Sequence, residues 1–160
     1  MPAMNPNIGL TDKNRTAIIA LLQPLLADEV VLYFKTRKAH WNVTGPHFHH
    51  LHKFFEEQYG AVEDNVDEIA ERIRCLGGYP AATLAEYVKL ARLKESPGKL
   101  PDAQGYLADL TQDHETLVRQ LRKDLAVSAE KYGDAGTSDF LTGLMEAHEK
   151  SAWMLRTSLK

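Results

Sequence analysis

The sequence predicts an all-α fold, a four-helix bundle with a short extra helix between the second and third long helices. Three observations predict it. Apolar residues recur at helical spacing along four long stretches, glycine and proline breaks separate those stretches, and no segment alternates as a strand would. The first helix is expected from Thr11 to about Ala39, with Thr11 as N-cap. Its apolar positions are Ile18, Ile19, Leu22, Leu25, Leu26, Val30 and Tyr33. Pro24 interrupts that pattern and should bend the helix or delay its true start, because proline lacks an N–H and crowds the preceding turn. Asn42 to Pro46 reads as a turn. The second helix should run from about His47 to Leu76 and stop at Gly77-Gly78-Tyr79-Pro80, a strong C-terminal signature. Thr83 to Leu90 reads as the short helix, and Lys94 to Pro101 as a loop. The third long helix covers about Asp102 to Lys131, Gly133 to Thr137 breaks the chain, and the fourth fills Ser138 to about Leu159. Four long helices in one chain pack as a bundle.

Bulk properties narrow the function. At 160 residues and 18.0 kDa the chain is long enough for one domain with a real core, spanning residues 1–160, with 1–10 as a flexible N-terminal tail. Hydrophobic residues make up 44% and charged residues 26%, the profile of a soluble globular protein. A formal charge of −3 argues against a generally basic nucleic-acid binder. The single cysteine, Cys75, forms no internal disulfide, which suits a reducing cytoplasm. The opening MPAMNPNIGL has neither a basic region nor a long apolar run, so no signal peptide is expected. No apolar stretch approaches about 18 residues, so no membrane span is expected either.

The chemistry-bearing residues sit on the second helix. His52/Glu56 and Asp67/Glu71 are each spaced i,i+4, and at about 100° per residue all four fall within one stripe roughly 100° wide. Glu56 and Asp67 are nevertheless about 16 Å apart along the axis, whereas metal–ligand bonds are only about 2.0–2.6 Å long. One straight helix therefore cannot close both pairs on one ion. If the pairs share a site, a second copy must run antiparallel and bring its Asp67/Glu71 to His52/Glu56. Gly60 and Ala61, near the midpoint, would permit that approach. Imidazole with carboxylate suits iron, manganese or zinc better than calcium. The plain alternative is a solvated charged face, with Arg72 and Arg74 pairing with nearby carboxylates. A di-iron centre inside a bundle uses paired Glu-x-x-His motifs, and no Glu here has His three residues later.

The run His40-Trp41-Asn42-Val43-Thr44-Gly45-Pro46-His47-Phe48, followed by Leu51-His52 and Phe55-Glu56, resembles the Dps mini-ferritins. Asp67-Glu68-Ile69-Ala70-Glu71-Arg72 and the C-terminal His148-Glu149-Lys150-Ser151-Ala152-Trp153-Met154-Leu155 do so too. The resemblance covers nearly the whole chain. It implies a ferritin-like four-helix subunit assembled into a hollow homododecamer, with ferroxidase centres at two-fold interfaces. His40, His52 and Glu56 would come from one subunit and Asp67 and Glu71 from its neighbour. Iron would be the metal, bound as Fe(II) and stored as a ferric mineral. Hydrogen peroxide would be the preferred oxidant over oxygen, which protects against oxidative damage. Many members carry Asp where this chain has Glu56, so the grip on a second iron is in question.

Other residues have weaker claims. Trp41 and Trp153 match aromatic positions near the centre in the family, and ordinary core or interface packing is an equal alternative. His47, His49 and His50 are expected in surface or capping roles, and His114 and His148 are not expected as ligands. Glu57 and Glu63 are candidates for mineral nucleation. Asp134 and Asp139 resemble the acidic lining of ferritin-like pores, and Cys75 reads as a small apolar residue at a helix end. The alternative function is a nucleoid-associated protein that compacts DNA. Family members that do this often use a lysine-rich tail, which would neutralise phosphates. The first ten residues here contain no Lys or Arg, Lys13 and Arg15 follow, and the C-terminus offers Arg156 and Lys160, so weak or absent DNA binding is expected. A third reading is a metal-free bundle serving as an interaction module.

Overall fold

The computed structural model describes residues 6–159 and contains five helices in the order α1 Asp12–Asn42, α2 Phe48–Cys75, α3 Leu84–Leu90, α4 Ala103–Glu130 and α5 Ala135–Thr157. No strand occurs among the described residues. Thr11 caps α1, its hydroxyl accepting from the Asn14 N–H at 3.2 Å. Pro24 neither ends nor delays α1, which continues through it for 31 residues. Packing explains the difference: Ile18, Leu22, Leu25, Leu26 and Ala27 flank the proline and are buried in the core, so tertiary contacts hold the backbone where one hydrogen bond is missing.

The end of α2 follows its sequence. The N–H of Gly77 bonds the Arg74 carbonyl and that of Gly78 bonds the Ile73 carbonyl, a Schellman cap with Gly77 left-handed at φ 86°. Thr83 and Glu86 form a capping box on α3. Asp102 caps α4 through the Gly105 N–H. The last helix begins at Ala135, three residues before the expected Ser138, because Asp134 caps it: its carboxylate accepts from the Thr137 N–H at 2.9 Å.

Helices α1 and α2 form one closely packed pair and α4 and α5 another, with α3 lying on α1. Both pairs share a hydrophobic cluster that includes Leu22, Phe55, Ile69, Leu117 and Leu141. Contrary to the sequence reading, α1 does contain an 18-residue window of mean hydropathy 1.7, long and apolar enough to cross a membrane. More than half of that window is buried inside the bundle, which accounts for its composition. Residues 1–5 of the expected tail lie outside the described residues, as does Lys160. Leu10 already packs on the core.

One buried polar chain crosses the core. His148 Nε2 lies 2.6 Å from Glu29 Oε1, and its Nδ1 lies 2.8 Å from His114 Nδ1. All three residues are at most 1% exposed. His114 and His148, which looked partnerless, are thus partners of each other across α4 and α5. The acceptor at each contact removes part of the cost of burying these groups.

Burial, and then the neighbouring His148, hold the His114 imidazole well below its ordinary range. The unfolded chain takes up this proton near pH 6.5, and the folded chain only at lower pH. Its contribution is therefore complete above about pH 6.5 and lost as the pH falls below it, by at most about 1.4 kcal/mol per pH unit. Urea titrations between pH 7.5 and about 5 should show this slope, and His114→Asn should flatten it. Equal slopes for the two proteins would contradict the assignment.

Candidate metal centre

The short connection from α1 to α2 brings His40, near the end of α1, against His52, in the second turn of α2. Their rings stack with centroids 3.8 Å apart at 21°. The bonding is reciprocal: His40 Nδ1 lies 2.7 Å from the His52 carbonyl oxygen, and His52 Nδ1 lies 2.9 Å from the His40 carbonyl oxygen. A carbonyl only accepts, so both Nδ1 atoms carry the proton. In each neutral ring this leaves the lone pair on Nε2, the arrangement that orients an imidazole for a metal. His40 is buried and His52 half-buried.

Glu56 lies one turn beyond His52 and is half-buried. Lys53 donates to its carboxylate at 2.7 Å. That hydrogen bond and the Lys53 charge hold the Glu56 carboxyl below its ordinary range, so it is available as an anion. Asp67 and Glu71 are exposed farther along α2 and make no hydrogen bond or ion pair among the described residues. Between the two pairs, Gly60 has open space: a Cβ built there meets nothing within 4 Å. Among the described residues, no group of three His, Cys, Asp or Glu side chains comes together to hold a metal. The structure therefore brings His40 and His52 together beside Glu56, and leaves Asp67 and Glu71 apart from them.

An aromatic wall that sequence reasoning missed supports His40. Tyr59 sets its edge against the His40 ring at 5.2 Å. The Arg37 guanidinium lies over the rings of Tyr59, Tyr33 and Trp41 at 4.3, 5.1 and 5.6 Å. Tyr33, Arg37 and Trp41 follow i,i+4 spacing on α1, the one signal available beforehand. Tyr59 arrives from α2 and could not be paired with them from sequence.

Several expectations change here. Trp41 and Trp153 are 59% and 61% exposed, so neither packs in the core of this chain. Asp134 is buried in its cap and pairs with Arg72 at 3.1 Å, so its carboxylate is already committed within the chain, while Asp139 is exposed. Arg72 is thereby taken away from the carboxylate stripe, and Arg74 instead donates to the Gly78 carbonyl. Cys75 is exposed rather than packed as an apolar residue. His47 stands at the N-cap of α2 without a side-chain capping bond; His49 and His50 are exposed, as are Glu57 and Glu63.

The chain matches the ferritin-like domain over residues 19–160. An uncharacterised low temperature-induced protein of Nostoc is 51% identical over 96% of this chain and 86% of its own. DNA protection during starvation protein 2 of Bacillus anthracis is 39% identical over 89% of this chain and 96% of its own. Among solved structures, the Dps protein of Vibrio cholerae, described as a member of a broad superfamily of ferritin-like diiron-carboxylate proteins, has a TM-score of 0.91. It is 35% identical and covers 100% of both chains. Dps from Bacillus brevis has a TM-score of 0.88 at 34% identity, covering 94% of this chain and 100% of its own. Bundle and matches together define a ferritin-like domain. Within that class the chain belongs to the Dps family.

The reciprocal carbonyl contacts make a spectroscopic prediction. Nitrogen-15 spectra at pH 8 should show His40 and His52 as Nδ1–H tautomers. Adding Zn2+ as a redox-silent probe should then shift their Nε2 resonances while the Nδ1 protons stay in place. Metal-induced loss of the Nδ1 protons would overturn this picture of the half-site.

Proposed function

We propose that this protein is a ferroxidase that oxidises Fe(II) at sites shared between two subunits and stores the ferric product inside a hollow homododecamer. The observation that carries the reading is the division of donors along α2. Two imidazoles with free Nε2 lone pairs stand beside the Glu56 carboxylate at one end, and two unpaired carboxylates, Asp67 and Glu71, stand about 16 Å away. A second copy of α2 running antiparallel joins the two ends, across a midpoint kept open at Gly60. A two-fold contact creates two such sites at once, because each copy supplies both halves.

Iron is the substrate. His40, His52 and Glu56 of one subunit with Asp67 and Glu71 of the other provide a mixed nitrogen and oxygen shell. Carboxylate oxygens are hard donors and favour Fe(III) over Fe(II), which assists oxidation. Hydrogen peroxide takes one electron from each of two Fe(II) ions and, with two protons, leaves as two waters; no hydroxyl radical is released. Oxygen is the competing oxidant. Lys53 holds one oxygen of Glu56 before iron arrives and leaves the other oxygen to act as a ligand. We place the protein in the cytoplasm.

Subunit mixing tests the shared site. His52→Ala and Asp67→Ala proteins should each lose most peroxide-dependent Fe(II) oxidation. Co-refolded in equal amounts, they should recover about a quarter of native activity, the chance that an intact His52 half meets an intact Asp67 half. No recovery in assembled mixtures, or activity in a monomer, would defeat the shared-site reading. The metal-free reading predicts no ferric absorbance at all.

A second reading, DNA protection, is favoured by the names of relatives such as the Bacillus anthracis protein. The scarcity of basic residues near the N-terminus argues that DNA binding is weak here. A gel-shift with supercoiled plasmid at about 150 mM salt should show little retardation, because few counterions are released. Strong retardation would restore the DNA-binding alternative.

A further inference from the structure

A second cleft lies away from the ligand stripe, between α1, the loop before α4, and the first turns of α4. Its volume is about 460 Å3, within the range of about 300–1,000 Å3 typical of small-molecule sites. Leu100, Pro101 and Leu110 give it apolar walls. At its floor the Lys35 ammonium is 2.5 Å from Asp113 and 3.2 Å from Asp109, so its charge is already matched. The other two lysines are differently placed. Lys38 Nζ donates one hydrogen bond, to the Ser96 carbonyl at 2.6 Å, which leaves two further donors. Lys99 is exposed and makes no ion pair among the described residues. Tyr106 lines the same cleft. It is 4% exposed and its hydroxyl is sealed from solvent, so it adds to the wall without offering a polar contact.

We propose that this cleft binds a small organic anion, with its charged head at Lys38 and Lys99 and its apolar body against Leu100 and Leu110. A bare inorganic anion fits poorly, because it leaves most of the volume and the apolar walls unused. A cation is disfavoured by the two ammonium groups at the mouth, since the only carboxylate lining the cleft, Asp109, is held by Lys35. Phosphate and carboxylate heads share this chemistry, and the choice of probe distinguishes them.

Calorimetry on the assembled full-length protein, with phenyl phosphate, phenylacetate, inorganic phosphate and benzyl alcohol, tests the assignment. At least one of the two organic anions should bind saturably at one per chain. Inorganic phosphate and benzyl alcohol should bind at least about ten-fold more weakly, each lacking half of the interaction. Lys99→Met, at an exposed position, should weaken the organic anion about ten-fold. Lys38→Met should also weaken binding, although it additionally frees the loop, so Lys99→Met is the cleaner variant. The proposal fails if neither organic anion binds, if inorganic phosphate binds as tightly as phenyl phosphate, or if Lys99→Met leaves the affinity unchanged.

Discussion

A metal ion tolerates ligands only within about 2.6 Å, and a straight helix holds Glu56 and Asp67 about 16 Å apart. That mismatch shapes the reading of the whole molecule. On the proposed function, α2 would carry two half-sites rather than one site, facing a partner across the open ground at Gly60. Subunit pairing would then be a precondition of the proposed chemistry, and helix rigidity would prevent oxidation by unassembled chains.

The half-site itself depends on the joint between α1 and α2. The two reciprocal imidazole–carbonyl contacts do more than fix tautomers, because each ties the end of one helix to the start of the next. Tyr59 buttresses His40 from α2, and Arg37 gathers three aromatic rings beside it. The donors are therefore held before any metal arrives, which lowers the cost of ordering them on binding. Glu56 is the exception. Its pairing with the exposed Lys53 keeps it charged, and that contact engages only one of its two oxygens.

Polar groups inside the bundle show a different economy. Glu29, His148 and His114 come from three helices and bond one another in the core, with one Glu29 oxygen left unpartnered. Asp28 likewise accepts from the backbone of Arg92 and Leu93, tying α1 to the segment after α3. These contacts specify which helices meet, and apolar packing alone is less selective in that respect. They also explain how α1 can be apolar enough for a membrane by composition and still carry buried carboxylates.

Local signals were legible in the sequence because they act over a few residues. Thr11, the Gly77-Gly78 stop and the Thr83–Glu86 box all operate within one or two helical turns, and the structure reproduces each. Pro24 does not delay the helix, because its local cost is outweighed by core packing on both sides. The burial of Asp134 was not legible, because its cap and its Arg72 partner depend on where α5 begins and on what α2 presents. The pairings of His114 with His148 and of His40 with Tyr59 join residues 34 and 19 positions apart, on different helices. By itself the sequence determined the helices, several of their caps and the spacing that rules out a one-helix metal site. Only the tertiary structure decided which buried polar groups satisfy one another and which donors remain free, because those outcomes depend on distances between helices that periodicity along the chain does not encode.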